Sequence, residues 1–317
     1  MKADDSGLDP DQRRAVEQRA RQLLDRAAAW DRLPTPVDDL LEAAKLRTAP
    51  ISAFDQGVVE RYIRQIGSAT ARILKSAIGK VLGILDVHGR IVHIDPTVNR
   101  EKQNFLKLHE TGHNEIPHQR GLFRWLQDCR HTLDPEVSDL FEREANNFAT
   151  VVLFQDTRFS AMAADSDFGI KVPLKFGRKF GASAYASIRE YVRRNEKACA
   201  VIVLEPPEFV PEAGLRASVR RVDASPEFVR RFGSLQLPEA ITVGNRLIQC
   251  IPGPGKRMSA PADLPLEDRN GQVHEFVGEG FSTPHNVFVL IHARATLRTT
   301  IQVKQTGLDT PSVTVGF

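Results

Sequence analysis

Cysteine is scarce. Cys129, Cys199 and Cys250 are odd in number and scattered, which argues against a disulfide framework. Long apolar runs are missing as well. The longest, Ala198 to Leu204, falls far short of a membrane span. The amino end, Met1–Asp5, has no apolar stretch of the secretory kind, so a reducing cytoplasm is the expected location, without membrane association. Charge of one sign is not in excess either: a net +3 implies no partner by itself, so local runs matter more. What is present is ordinary globular composition, 41% hydrophobic and 26% charged, and 317 residues suggest two or three domains.

The chain is organised around Phe105-Leu106-Lys107-Leu108-His109-Glu110-Thr111-Gly112-His113, an HExxH motif in a run with helical periodicity. A helix puts residues four apart on one face, so the imidazoles of His109 and His113 can grip one ion. Glu110 then lies beside that ion, where a carboxylate can take a proton from water. Phe105, Leu108 and the slim Gly112 supply an apolar side for packing.

A second helix is well marked from Asp134 to Phe154. Asp134 is a good N-cap and Pro135 suits the first helical position. Leu140, Glu144, Phe148 and Val151 share one stripe, and a carboxylate amid apolar residues is costly to bury without a partner. A zinc ion held by two histidines is such a partner, which makes Glu144 the expected third ligand. Glu142 lines up instead with Ser138, Asp139, Ala145 and Asn146, a wet-looking face, and is the reserve.

His-Glu-Thr-Gly-His followed about thirty residues on by Glu144-Ala145-Asn146-Asn147-Phe148-Ala149 resembles the ImmA/IrrE family of metallopeptidases, whose pattern is HExGH and then EANxFA. The strand-like Gly89–Asp95 upstream and an N-terminal helical pair with a Pro between them fit too. The likeness spans roughly residues 10 to 155. It departs from the pattern at Thr111, where the family has an apolar residue, and at Leu153-Phe154-Gln155, where Leu-Met-Pro is common. The resemblance implies a zincin-like α+β fold and a peptidase that cuts a helix-turn-helix repressor, releasing stress, DNA-damage or defence genes. In IrrE-type relatives the last domain is GAF-like and regulatory. The expected division is a zinc metallopeptidase domain over 1–155, a helix-turn-helix-like helical connector over 156–197 and a β-rich, GAF-like domain over 198–317.

Taken in order, Val16, Ala20, Leu23, Leu24 and Ala27 form a helical stripe, and a second helix follows from Pro36 to about Lys45. Val59 to Val81 is compatible with strands or a helix. Leu82 to Ile94 reads as two strands around His88-Gly89, a hairpin whose edge would hold an extended substrate by backbone pairing. The segment 114–133 contains His118, Cys129 and His131. With Tyr185, its two histidines are candidates for stabilising an oxyanion, and a Cys129 thiolate could fill the fourth zinc position and hold the enzyme latent. Phe180–Ile188 resembles the turn and second helix of a helix-turn-helix, with Gly181 at the turn and Ser183 as cap. From Lys171 to Lys197 eight basic residues face two acidic ones, a stretch able to contact DNA phosphates. Beyond Ala198, Val201–Leu204, Leu215–Val222, Ile241–Ile251, Phe276–Val277 and two runs within His285–Val303 read as strands of one mostly antiparallel sheet.

These residues lead to a zinc endopeptidase in which His109, His113 and Glu144 hold Zn2+ and Glu110 is the general base. The alternative from another class is a DNA-binding regulator whose zinc site is structural or vestigial. A third is a signal-binding module that needs residues 198–317 but not His109.

Overall fold

The computed structural model describes residues 7–50, 83–122, 134–211, 214–268 and 270–294. Val59–Val81, Cys129, His131 and the run 295–303 lie outside them.

Helix α1 (Pro10–Arg26) starts at Asp9, whose carboxylate accepts from the Asp11 and Gln12 amides in a capping box, and buries the expected Val16, Ala20, Leu23 and Leu24. Helix α2 (Val37–Ala43) buries Val37, Leu40 and Leu41. A three-stranded sheet follows, in the order β1 (Arg47–Thr48), β3 (Ile91–Ile94), β2 (Gly83–Asp86), with β2 and β3 paired as the expected antiparallel hairpin. Helix α3 (Arg100–Glu115) carries the HExxH motif, and α4 (Pro135–Leu153) starts at Asp134 and Pro135 as its sequence implies. After α4 the chain turns at Gln155 and Asp156, both at positive φ. The Gln155 side chain is fully buried there: it accepts from the Asp31 amide and donates to Arg32 O and Thr35 Oγ1. The departure from the family pattern at this position thus latches the N-terminal helices to the end of α4.

Helices α5 (Arg158–Ala164), α6 (Lys171–Phe180) and α7 (Ala184–Arg193) form the connector. Gly181 closes α6 in the left-handed region at φ 73°, and the Ser183 hydroxyl caps α7, both as read from the sequence. Yet α7 buries Ser187, Ile188, Arg189, Glu190, Tyr191 and Val192, so it has no free face to enter a groove as a recognition helix.

The second sheet runs β5 (Glu208–Val210), β6 (Gly214–Ala224), β4 (Cys199–Leu204), β10 (Val287–Ala293), β9 (Val273–Ser282), β8 (Ala262–Glu267), with β7 (Ala240–Thr242) also on β6, all antiparallel. Helix α8 (Pro226–Phe232) follows β6. The run Ile241–Ile251 is not one strand: β7 ends at Thr242, and a 3-10 helix (Arg246–Cys250) begins where the Asn245 side chain accepts from the Leu247 amide. That Asx turn competes with further extension of the strand.

Strand β4 is buried on both faces. Cys199, Val201 and Val203 join the helical core, together with Phe288 and Leu290 of β10. Ala200, Ile202 and Leu204, with Val287, Val289 and Ile291, pack on the other side against Phe228, Leu247 and Cys250. Period-two alternation in two central strands therefore serves two cores. The first runs unbroken from Val16 through Phe154, Phe180 and Ile188 to Leu290, so the connector is packed between the helical part and the sheet. No helix among the described residues is long and apolar enough to cross a membrane.

A buried ion-pair cluster fastens α7 to β6. Asp223 accepts from Arg189 Nε at 2.7 Å and Arg193 Nη2 at 2.7 Å. Burial works against the Asp223 carboxylate, but the two guanidiniums outweigh it and hold its pKa below the usual carboxylate value. A group with a depressed folded-state pKa stabilises above its unfolded pKa, and loses that contribution as pH falls through the folded value. Asp223→Asn is expected to destabilise the protein at neutral pH by about 3–5 kcal/mol. In urea unfolding series, the gap from wild type should narrow below about pH 4.

Candidate metal centre

The second half of α3 is buried because α4 crosses it closely. A Cβ on Gly112 would stand 3.2 Å from Ala145 Cα and 3.2 Å from Phe148 Cδ1, so the glycine sets how near the two helices come. At this seam His109 and His113 are 8% and 6% exposed, and their Nε2 atoms lie 3.2 Å apart. From α4 comes Glu142, with one carboxylate oxygen 3.2 Å from His109 Nε2 and the other 3.7 Å from His113 Nε2. An ion with tetrahedral arms of about 2.0–2.1 Å needs ligand atoms about 3.3 Å apart, and these three groups have that spacing. The donor set fits a divalent ion of the zinc class.

Outer partners prepare the imidazoles. His109 Nδ1 lies 3.1 Å from Asn146 Oδ1, and His113 Nδ1 lies 2.6 Å from Gln119 Oε1. With each Nδ1–H donating to an amide oxygen, the Nε2 lone pairs face each other and Glu142, as metal-binding histidines require. Gln119 is oriented in turn, since its Nε2 donates to Glu144 Oε2 at 2.5 Å and to Phe141 O at 3.3 Å.

Glu144, expected as the third ligand, is therefore turned elsewhere. It is buried, as its apolar stripe implied, but its oxygen accepts from Gln119 and from His118 Nε2 at 2.7 Å. The reserve carboxylate, Glu142, is the one brought to the histidine pair, and its side chain is 55% exposed. The wet-looking face of α4, with Glu142 and Asn146, is the one that meets the histidines. His118, a candidate oxyanion donor, is engaged by Glu144. Tyr185 packs on Phe288 with its ring near Arg189 and Arg220. Gln119 was not singled out in the sequence, where an amide residue soon after the motif is its only local sign, and Asn146 was named only as part of the motif and of the wet-looking face.

Glu110 is buried against the start of β2. A Cβ on Gly83 would come within 2.7 Å of its Oε1, so that carboxylate occupies room available only beside a glycine. Burial pushes the Glu110 pKa up to about 7; His109 opposes the rise and Glu142 adds to it. Burial disfavours the charged form of His109, but the bond to Glu142 and the charges of Glu110 and Glu142 outweigh it, and its pKa is raised. His113 is lowered by burial and by its charged neighbour His109.

The HExxH helix, a short sheet and a carboxylate from the helix across the seam form a mixed α+β arrangement, consistent with a zincin-like domain, around a cluster that could hold a metal ion. Residues 72–187, from ahead of β2 into α7, match the model of the IrrE N-terminal-like domain, peptidase family M78. The matched segment contains both His109–His113 and Glu144–Ala149, the residues that carry the resemblance. No curated protein matches the chain. Among solved structures, a Mycobacterium tuberculosis transcriptional regulator is similar at 12% identity and a TM-score of 0.45, over 89% of this chain and 80% of that one. A likeness that loose carries no functional argument.

The two carboxylates should separate in a metal titration. Glu142→Ala is expected to remove stoichiometric zinc from the purified protein. Glu144→Gln, which disturbs Gln119 and through it His113, should retain the ion with affinity weakened about 10–100-fold. Zinc content by atomic emission and competition with a chromophoric chelator read both.

Proposed function

We propose that the protein is a zinc-dependent endopeptidase that cuts a helix-turn-helix transcriptional repressor and so derepresses stress, DNA-damage or defence genes. The observation that carries this reading is the convergence of the buried His109 and His113 with the exposed Glu142, with Glu110 buried beside them. In this reading His109, His113 and Glu142 hold the zinc, and Glu144 keeps Gln119 and His113 in place. When bound, a zinc ion polarises a peptide carbonyl and brings the acidity of water near neutrality. Glu110 accepts the proton at its carboxylate and returns it to the departing amine.

Strand β2 gives the substrate a place beside that base. It pairs with β3 on one side, and its other edge has no strand partner among the described residues. An extended peptide can add there by backbone pairing. Because Glu110 abuts Gly83 at the start of β2, a peptide on this edge would lie alongside the base.

The division into a peptidase domain (1–155), a connector (156–197) and a GAF-like regulatory domain (198–317) belongs to the same proposal. So does DNA contact through the connector, now narrowed to one face. Arg189, Arg193 and Arg194 form internal ion pairs, whereas Lys171, Lys175, Arg178 and Lys179 of α6 are exposed. Replacing Lys175 and Arg178 with Ala should weaken binding to any DNA sequence alike, and reduce the slope of log affinity against log salt by about 2.

The function is tested by incubating the protein with zinc and repressors encoded beside its gene. Wild type should cut one at a single site, and Glu110→Gln should bind zinc normally while cutting about 10²–10⁴-fold more slowly. Undiminished cutting by Glu110→Gln would contradict the mechanism. Gly83→Ala should likewise leave zinc content unchanged but lower the rate, because its methyl displaces the Glu110 carboxylate.

A further inference from the structure

A cleft of about 1340 Å³ lies where α1, the second half of α4, α5 and the end of α7 meet β6 and α8. That is ample for a small molecule, since such sites commonly measure roughly 300–1,000 Å³. Its wall includes Arg13, Arg193, Arg194, Lys197, Arg221 and Arg230, against the carboxylates Glu17, Glu190, Glu196 and Asp223. The balance is positive, and its distribution matters more than its sum. Arg193 and Arg194 are committed to Asp223, Glu17 and Glu190 and form a fixed floor. Arg13 from α1 and Lys197 from the approach to β4 have no ion-pair partner among the described residues. Cations from separate elements around one cleft leave a positive potential for an anion to neutralise.

Two further features point to a ligand. The Ser160 hydroxyl, on the wall, is buried and has no hydrogen-bond partner, an arrangement that natural proteins seldom leave unfilled. Phe168 stacks on Tyr191 at 5.2 Å on the same wall, and the Lys197 ammonium lies 5.6 Å from the Phe168 ring centre. An aromatic surface next to a cation can take a planar ring and a charged group together.

We propose that this cleft is a binding site for a small phosphate-bearing molecule of nucleotide size. It is separate from the metal centre, yet both use α4: Glu142 and Asn146 face the histidines, while Asn147, Thr150 and Val151 line the cleft. A ligand there bridges the helix that supplies a metal-site carboxylate to strand β6 of the large sheet. The basic end of the 171–197 stretch thus has a use that no DNA groove provides.

The full chain is titrated calorimetrically with ATP and with inorganic pyrophosphate, with His109→Ala as a second protein that removes the metal from the comparison. Saturable binding of ATP by both proteins, weakened at least tenfold in Arg13→Ala/Lys197→Ala at an unchanged unfolding temperature, is expected. Ala161→Trp, which fills the cleft without changing charge, should abolish it. The proposal is overturned if neither probe binds saturably at millimolar concentration, or if the double variant binds as well as wild type. It is also overturned if His109→Ala loses binding, which would put the anion on the metal centre. Displacement of ATP by lower concentrations of a single-stranded oligodeoxynucleotide would reassign the cleft to nucleic acid and overturn the small-molecule reading. None of these outcomes depends on peptide cleavage.

Discussion

The close crossing of α3 and α4 is the constraint on which the site depends. Gly112 lets the backbone of Ala145 and the ring of Phe148 approach to contact distance. Below that contact the helices share an apolar core that includes Leu108, Phe148 and Ala149. Above it they carry a polar rim with two imidazoles from one helix and a carboxylate from the other. Interiors are close-packed and deform little, so fixing the apolar seam also fixes the spacing of the groups at its rim.

Such a rim is expensive unless each buried polar atom finds a partner. Asn146 serves His109, Gln119 serves His113, and Glu144 with His118 serves Gln119. This chain of bonds explains why the more buried of the two α4 carboxylates is not beside the histidine pair. A carboxylate deep in the seam is best used to orient an amide, whereas Glu142, half-exposed, stands between the buried histidine pair and solvent.

The large sheet extends the helical body instead of hanging from it. Both faces of β4 and β10 are covered, one by connector helices and one by α8 and the 3-10 helix. Asp223 ties β6 to α7 through two arginines, and Asp156 joins Arg21 of α1 to Arg194 at the end of α7. A sequence stretch that looks like a basic DNA-binding arm is thus divided. Its first helix shows cations to solvent, and its second uses them to hold the molecule together.

What could be read from the chain alone was whatever local periodicity and chemistry decide. The i, i+4 histidines, the Asp134-Pro135 helix start, the hairpin at His88-Gly89, the Gly181 turn and the burial of Glu144 all follow from a few neighbouring residues. What only the tertiary structure decided is which partner each buried group meets. Glu142 and Glu144 are two residues apart on a helix, hence about 200° apart around its axis. Which of them faces the histidines depends on the rotation of α4 against α3, and on Gln119, just beyond the end of α3, bonding the other. The burial of α7 beneath β4 and β6 likewise comes from strands distant in sequence, and no local pattern could announce it. Periodicity reports that a face is buried; only packing between distant segments selects what it is buried against.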